Sequence, residues 1–217
     1  EKIQRVRLGS LEQGIISEAF IRKLSENKKF CPQFHLSLQS GSKEVLKRMN
    51  RHYTPEEYLE KCILIRSFFD RPALTTDVIT GFPGETEEEF LETEEFLKKA
   101  AFSQMHIFKY SIRQGTAAAK MEQQIPDAVK TERSNRLIKL NERLEQEYRK
   151  QFLGTVGRVL IEEETVIDGI HCFTGYTGEY VRVAVVSHIC LINKMVEVNF
   201  KKLLNAEILL AELIKIY

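Results

Sequence analysis

The chain has 217 residues, 43% of them hydrophobic and 29% charged, and a formal net charge of +1. It is long enough to bury one large core or two small ones. It excludes a membrane-spanning helix, because no run of about 18 apolar residues occurs. It also excludes a chain-wide basic excess, although local segregation of charge leaves an RNA partner open.

The first residues, Glu1-Lys2-Ile3-Gln4-Arg5, do not resemble a signal peptide, so a cytoplasmic location is expected. Position 1 is not Met and the chain opens in a strand-like run, which suggests a piece of a longer protein. Cys31, Cys62, Cys172 and Cys190 form neither C-x-x-C nor C-x-x-x-C-x-x-C. They read as free thiols in a reducing compartment, and no metal ligand is expected among them.

In chain order, residues 3–8 alternate apolar and polar and predict a strand. A helix is expected over 17–26, a strand over 33–38 and a short helix over 42–49. Thr54-Pro55-Glu56-Glu57 is a capping box that starts a helix running to about residue 69. The β-branched, apolar run 73–79 predicts a strand buried on both faces. Gly81 to Gly84 form a turn. Thr86 and Glu89 form a second capping box, opening a helix to about residue 100. A strand over 104–110, a loop over 111–126 and a helix over 127–152 follow. Strands alternating with helices imply an α/β fold with a parallel sheet or partial (β/α) barrel.

In the long helix, Lys130, Arg133, Arg136, Lys139 and Arg143 recur every three or four residues. They read as a solvated face balanced by Glu132, Glu142, Glu145 and Glu147, or else as a flank for RNA phosphates. After Gly154 the texture changes to short β-rich runs at 156–163, 170–174, 179–186, 195–200 and 207–213. That spacing predicts a small five-stranded antiparallel barrel, with residues 203–213 also compatible with a helix. Two domains are expected, 1–152 and 153–217.

Four loops follow the strands of the first domain at their C-terminal ends. They are Ser10 to Glu12, Gln39 to Ser42, Gly81 to Thr86, and Ser111 to Thr116. Ligands bind at that end of parallel (β/α) architectures. Taken singly each loop has a structural explanation, since Gly-Phe-Pro-Gly makes a tight turn and Glu85 to Glu89 suit a helix start. Together they suit a polar, nucleotide-like molecule. Glu12, Gln39 and Asp77 offer partners for hydroxyl or ammonium groups, and Gly81 and Gly84 allow close backbone approach. A phosphate loop and a nucleophile elbow are both absent. The five histidines form no H-x-x-x-H pair, and His35 and His106 read as core or barrel-lining residues.

The run A-L-T-T-D-V-I-T-G-F-P-G-E-T (73–86) resembles the signature of the radical S-adenosylmethionine methylthiotransferases, which act on tRNA and on a ribosomal protein. R-V-R-L-G-S-L-E (5–12), F-H-L-S-L-Q-S-G-S (34–42) and H-I-F-K-Y-S-I-R-Q-G-T (106–116) extend the resemblance. G-Y-T-G-E-Y-V-R-V (175–183) is similar to the TRAM domain that ends these enzymes. L-G-S-L-E and H-L-S-L-Q-S-G look closest to the branch acting on threonylcarbamoyladenosine, because the isopentenyladenosine branch usually has Pro where Ser37 stands.

The resemblance implies a partial radical-SAM barrel followed by a TRAM-like RNA-binding barrel. It implies a methylthio group added at C2 of the modified adenosine next to the anticodon, with the tRNA anticodon stem-loop as partner. S-adenosylmethionine and two [4Fe-4S] clusters are the implied cofactors. Carried over by segment, Glu12, Gln39, Ser40, Gly41, Ser42, Arg51, Asp77, Gly81, Phe82, Pro83, Gly84, Glu85 and Tyr110 would bind the S-adenosylmethionine. Arg113, Thr116, Arg158, Phe173, Tyr176, Tyr180 and Arg182 would meet RNA. The C-x-x-x-C-x-x-C cluster motif is absent, so this chain alone is expected to be inactive, and a truncated barrel edge near residues 3–8 could self-associate. The alternatives are isopentenyladenosine tRNA or a ribosomal-protein aspartate as substrate, or a non-catalytic RNA-binding module.

Overall fold

The computed structural model describes residues 3–217 as two compact units. In the first, strands β1 (Ser10–Leu11), β2 (Gln33–Leu36), β3 (Ala73–Thr80) and β4 (Gln104–Lys109) lie side by side in that order. β1 and β2 run parallel, and so do β3 and β4, in a register from Thr75 opposite Gln104 to Thr80 opposite Lys109. Helices α1 (Glu18–Ser25), α2 (Lys43–Arg48), α3 (Pro55–Phe68), α4 (Glu87–Ala100) and α5 (Asp127–Lys150) intervene or follow. Both capping boxes form: Thr54 accepts from the Glu57 amide and Thr86 from the Glu89 amide, and each glutamate reaches back to its cap.

Period-2 alternation divides the strands between two faces. Phe34, Leu36, Leu74, Val78 and Met105 are buried in the core. β3 is buried on both faces only over Ala73–Thr76; beyond that, Asp77 and Ile79 are half-exposed while Val78 and Thr80 stay buried. The strand therefore opens one face toward its C-terminal end, where a site can form.

The strand expected over residues 3–8 is not present. Val6 makes one isolated bridge to Phe30, and β1 starts only at Ser10. Val6 donates to the Lys29 carbonyl and accepts from the Cys31 amide, and Arg5 donates to the carbonyls of Tyr176 and Arg158, so this stretch is held by one bridge and by side-chain bonds rather than by an extended ladder.

The second unit is a closed barrel of β5 (Val156–Ile167), β6 (Ile170–Thr177), β7 (Arg182–Val185), β8 (Met195–Leu203) and β9 (Leu209–Ile216), in the order β5-β6-β7-β9-β8. Residues 203–213 therefore hold the end of β8, a bend over 204–208 and the start of β9, and no helix. The barrel is mixed rather than antiparallel, because β7 and β9 run parallel. A closed ring of five strands cannot alternate direction throughout, so one like-directed pair is unavoidable. Val159, Ile161, Val183, Val198 and Phe200 fill its interior, with Tyr148 and Phe152 packed against them. By its contacts the barrel unit also takes in the chain up to Arg7, Asn27–Gln33 and the last turn of α5 from Glu145, whose Tyr148 packs against the barrel core, while Leu8–Glu26 and Phe34–Leu144 form the other unit.

Candidate functional site

A cavity of about 570 Å³ opens at the C-terminal ends of β2, β3 and β4. That size suits a small organic ligand. Gln39, Arg51, Asp77, Phe82 and Tyr110, named from the sequence for the cofactor, line it together with Arg113 and Thr116, named for RNA. Arg48, Met49, Asn50, Ile79, Phe108 and Met121 line it as well, although nothing in their local pattern marked them.

The backbone is shaped around this cavity. Gln39 takes a left-handed conformation (φ 72°), unusual for a residue with a side chain. It is held there because its amide donates to the Asp77 carbonyl and its carbonyl accepts from the Ile79 amide, both at 2.9 Å. Gly81 has φ +71°, and a Cβ there would lie 2.4 Å from Lys130 Cγ. Glycine is required on both counts.

Under the turn lies a buried ion pair. Glu85 Oε2 accepts from the Gly81 amide at 2.7 Å and from Arg133 Nη1 at 2.8 Å. The two side chains are 1% and 5% exposed. Burial pushes the Glu85 carboxyl up, while the Gly81 amide and the Arg133 charge oppose that shift. Arg48 forks onto Glu89 at 2.8 and 2.6 Å and also donates to the Gly84 carbonyl. The Arg48 hydrogen bonds hold Glu89 below the usual carboxylate range.

The packing gives structural partners to several of the residues named from the sequence. Ser40 is fully buried and bonds Thr93, Ser42 bonds Glu92, and a Cβ at Gly41 would strike Phe96 at 2.7 Å and Thr93 Cα at 2.8 Å. These three residues fasten the loop onto α4 instead of facing a ligand. Gly81, Pro83, Gly84 and Glu85 build and brace the turn without lining the cavity. Glu12 is exposed, caps a single 3-10 turn and lies outside the lining. The basic row of α5 divides: Lys139 and Arg143 are exposed, whereas its first three members are engaged by the fold. Lys130 and Arg133 are buried, Lys130 donates to the Tyr110 carbonyl, and Arg136 pairs with Glu87 and Glu94.

In the barrel, Phe173 is 3% exposed and belongs to the core, so it offers no stacking surface. Arg182 is tied to Glu163 at 2.7 Å. Tyr176 and Tyr180 stack on each other at 4.4 Å, and the Arg7 guanidinium lies 3.9 Å from the Tyr180 ring centre. Arg158 is exposed and sits over the Tyr217 ring.

What the cavity leaves uncommitted points to its ligand chemistry. Arg51 and Arg113 make no side-chain hydrogen bond or ion pair among the described residues. The Tyr110 hydroxyl is buried without a hydrogen-bond partner, its ring edge-on to Phe82 at 5.3 Å. A buried hydroxyl left unsatisfied is costly, so a polar ligand group is its natural complement. Two cations, a carboxylate, an amide and aromatic rings suit an amphoteric molecule carrying an apolar ring.

This fold is like that of a radical SAM domain. Residues 5–97 match the model of the Radical SAM superfamily. The fold is also that of Escherichia coli coproporphyrinogen III oxidase (HemN), a radical SAM enzyme, with a TM-score of 0.55 and 14% identity over 81% of this chain and 46% of that one. More particularly, the chain is homologous to tRNA methylthiotransferases. It is 41% identical over 205 residues to the threonylcarbamoyladenosine tRNA methylthiotransferase MtaB of Bacillus subtilis, covering 93% of this chain and 45% of that protein. It is 40% identical over 197 residues to the tRNA-2-methylthio-N(6)-dimethylallyladenosine synthase of Acetivibrio thermocellus, covering 91% and 41% respectively. The Aquifex aeolicus synthase is 44% identical over 162 residues, 75% of this chain and 37% of that protein. The chain thus spans less than half the length of these relatives.

Proposed function

We propose that this chain is the S-adenosylmethionine-binding and RNA-binding portion of a tRNA methylthiotransferase working in the cytoplasm. Its substrate would be threonylcarbamoyladenosine next to the anticodon, and its product the 2-methylthio derivative. The observation that carries the cofactor reading is the cavity with Arg51, Arg113 and the unpartnered Tyr110 hydroxyl at the strand ends. Arg51 or Arg113 would hold the methionine carboxylate, Asp77 the ammonium or ribose, and Phe82 with Tyr110 the adenine edge. When bound with its cluster, the cofactor supplies the radical; the residues here orient it and exclude water. Ser37, together with the 8–12 and 35–41 runs, supports the threonylcarbamoyl branch over isopentenyladenosine.

The iron–sulfur clusters do not fit this chain's own thiols. Cys31, Cys62 and Cys172 are buried and Cys190 is exposed. Burial pushes Cys62 up to about 12 and raises Cys31 and Cys172, opposing the thiolate that ligation needs. Both clusters are therefore assigned to segments other than these residues, and the chain alone performs no reductive cleavage.

The test is calorimetric titration of the chain with S-adenosylmethionine, beside its Arg113→Ala and Asp77→Asn variants. Saturable binding weakened about tenfold or more by either change is expected, the loss of one charged hydrogen bond being worth about 1.5–3 kcal/mol. Binding indifferent to both variants removes the cofactor reading. For the substrate, nucleoside analysis of tRNA from a strain lacking the gene should show loss of the methylthio form of threonylcarbamoyladenosine alone.

A further inference from the structure

The open face of the four-stranded sheet carries a constellation of which the cofactor reading uses Asp77 alone. His35 stands on β2, Asp77 on β3 and His106 on β4, one residue from each of three adjacent strands. Asp77 and His106 are direct register partners. A ligand atom from each of the three lies within 4.8 Å of the other two. The imidazole rings are 5.8 Å apart between centroids and inclined by 40°, so they converge without stacking flat.

We propose that His35, Asp77 and His106 bind a divalent first-row transition cation of the zinc or ferrous type. The donor set is two imidazoles and one carboxylate, which suits such ions and leaves coordination positions open. His35 is already oriented for the task. Its Nδ1 lies 3.0 Å from Thr75 Oγ1, so the hydroxyl fixes the ring and leaves Nε2 directed at Asp77. An outer partner of this kind commonly accompanies a metal-bound histidine.

The separation of His35 Nε2 from Asp77 Oδ2 is 3.3 Å. A charge-assisted N–H to carboxylate bond settles nearer about 2.7–2.9 Å. Two ligands on a tetrahedral cation, each bonded at about 2.0–2.1 Å, sit about 3.3–3.4 Å apart. The pair is thus spaced as co-ligands and is loose as a hydrogen bond. Asp77 also lines the cavity, so the open positions face it and would take water or an oxygen donor such as a carboxylate, phosphate or hydroxyl. No thiol takes part; the site shares Asp77 with the proposed cofactor pocket, but His35 and His106 lie outside that lining, so variants of the two histidines test it separately from the proposed function.

The chain should be titrated with Co²⁺, whose visible d–d bands report tetrahedral or five-coordinate ligation. One equivalent is expected to bind, with no thiolate charge-transfer band, and to be displaced by Zn²⁺. His106→Gln, at an exposed position, should keep the circular dichroism spectrum and weaken Co²⁺ binding at least about tenfold. His35→Gln should do the same, and Cys190→Ser should change nothing. Absence of d–d bands at saturating Co²⁺, bands that survive His106→Gln and His35→Gln, or a thiolate band lost in Cys190→Ser would each overturn the site.

Discussion

At the residue scale, the charged groups behind the cavity matter more than those that line it. Glu85 and Arg133 are almost without solvent, so each depends on the other. Arg133→Met leaves a buried carboxylate with only the Gly81 amide, and we expect a loss of about 3–5 kcal/mol in urea unfolding. Glu89 behaves differently, because its hydrogen bonds from Arg48 lower its pKa in the folded state. A depressed carboxyl stabilises the fold above its unfolded value and loses that contribution as pH falls through the folded value. Glu89→Gln should therefore cost about 1.5–3 kcal/mol near neutrality and flatten the fall of melting temperature between neutral and acid pH. An unchanged acid limb would show that Glu89 does not govern it.

At the scale of elements, the turn between β3 and α4 is the piece on which the site depends. Thr86 and Glu89 fix where the helix begins, Gly81 supplies the left-handed corner, and Lys130 of α5 fills the space a side chain would need. Gly81→Ala must adopt strained backbone and push Lys130 aside. The expected cost is about 1–3 kcal/mol, with weaker S-adenosylmethionine binding by calorimetry. Thr54, at a comparable capping box away from the cavity, is the control: Thr54→Ala should cost about 1 kcal/mol and leave ligand binding intact.

At the scale of the whole molecule, net charge gives little guidance to RNA binding because so many cations are already spent. Of the basic residues expected to meet RNA, Arg113 and Arg158 are exposed, whereas Arg182 is tied to Glu163. Binding of an anticodon stem-loop should weaken with salt. Arg158→Ala should lower the slope of log K against log salt by about one, whereas Arg113→Ala, at the cavity, and Arg182→Ala should lower it less. Phe173→Ala should instead destabilise the barrel by about 3–5 kcal/mol, as loss of a core aromatic does. Equal slopes for all three arginine variants would refute this division.

The sequence by itself determined the helices, the two capping boxes, the strands β2, β3 and β4 and the change of texture after Gly154. Those features rest on local periodicity and on partners three or four residues apart. Of the residues that line the cavity, Gln39 and Asp77 were legible from polar groups at strand ends, and Arg51, Phe82, Tyr110, Arg113 and Thr116 were named only through the family resemblance. Only the tertiary structure decided which of those loops face a ligand and which are bolted to a helix, since Ser40 meets Thr93 across 53 residues and Glu85 meets Arg133 across 48. Long-range pairing also turned Arg133 and Arg136 of α5 onto the glutamates of α4. It closed five strands into a ring that must contain a parallel pair. It brought His35, Asp77 and His106, far apart in sequence, onto one face of three neighbouring strands, where no spacing rule along the chain could have joined them.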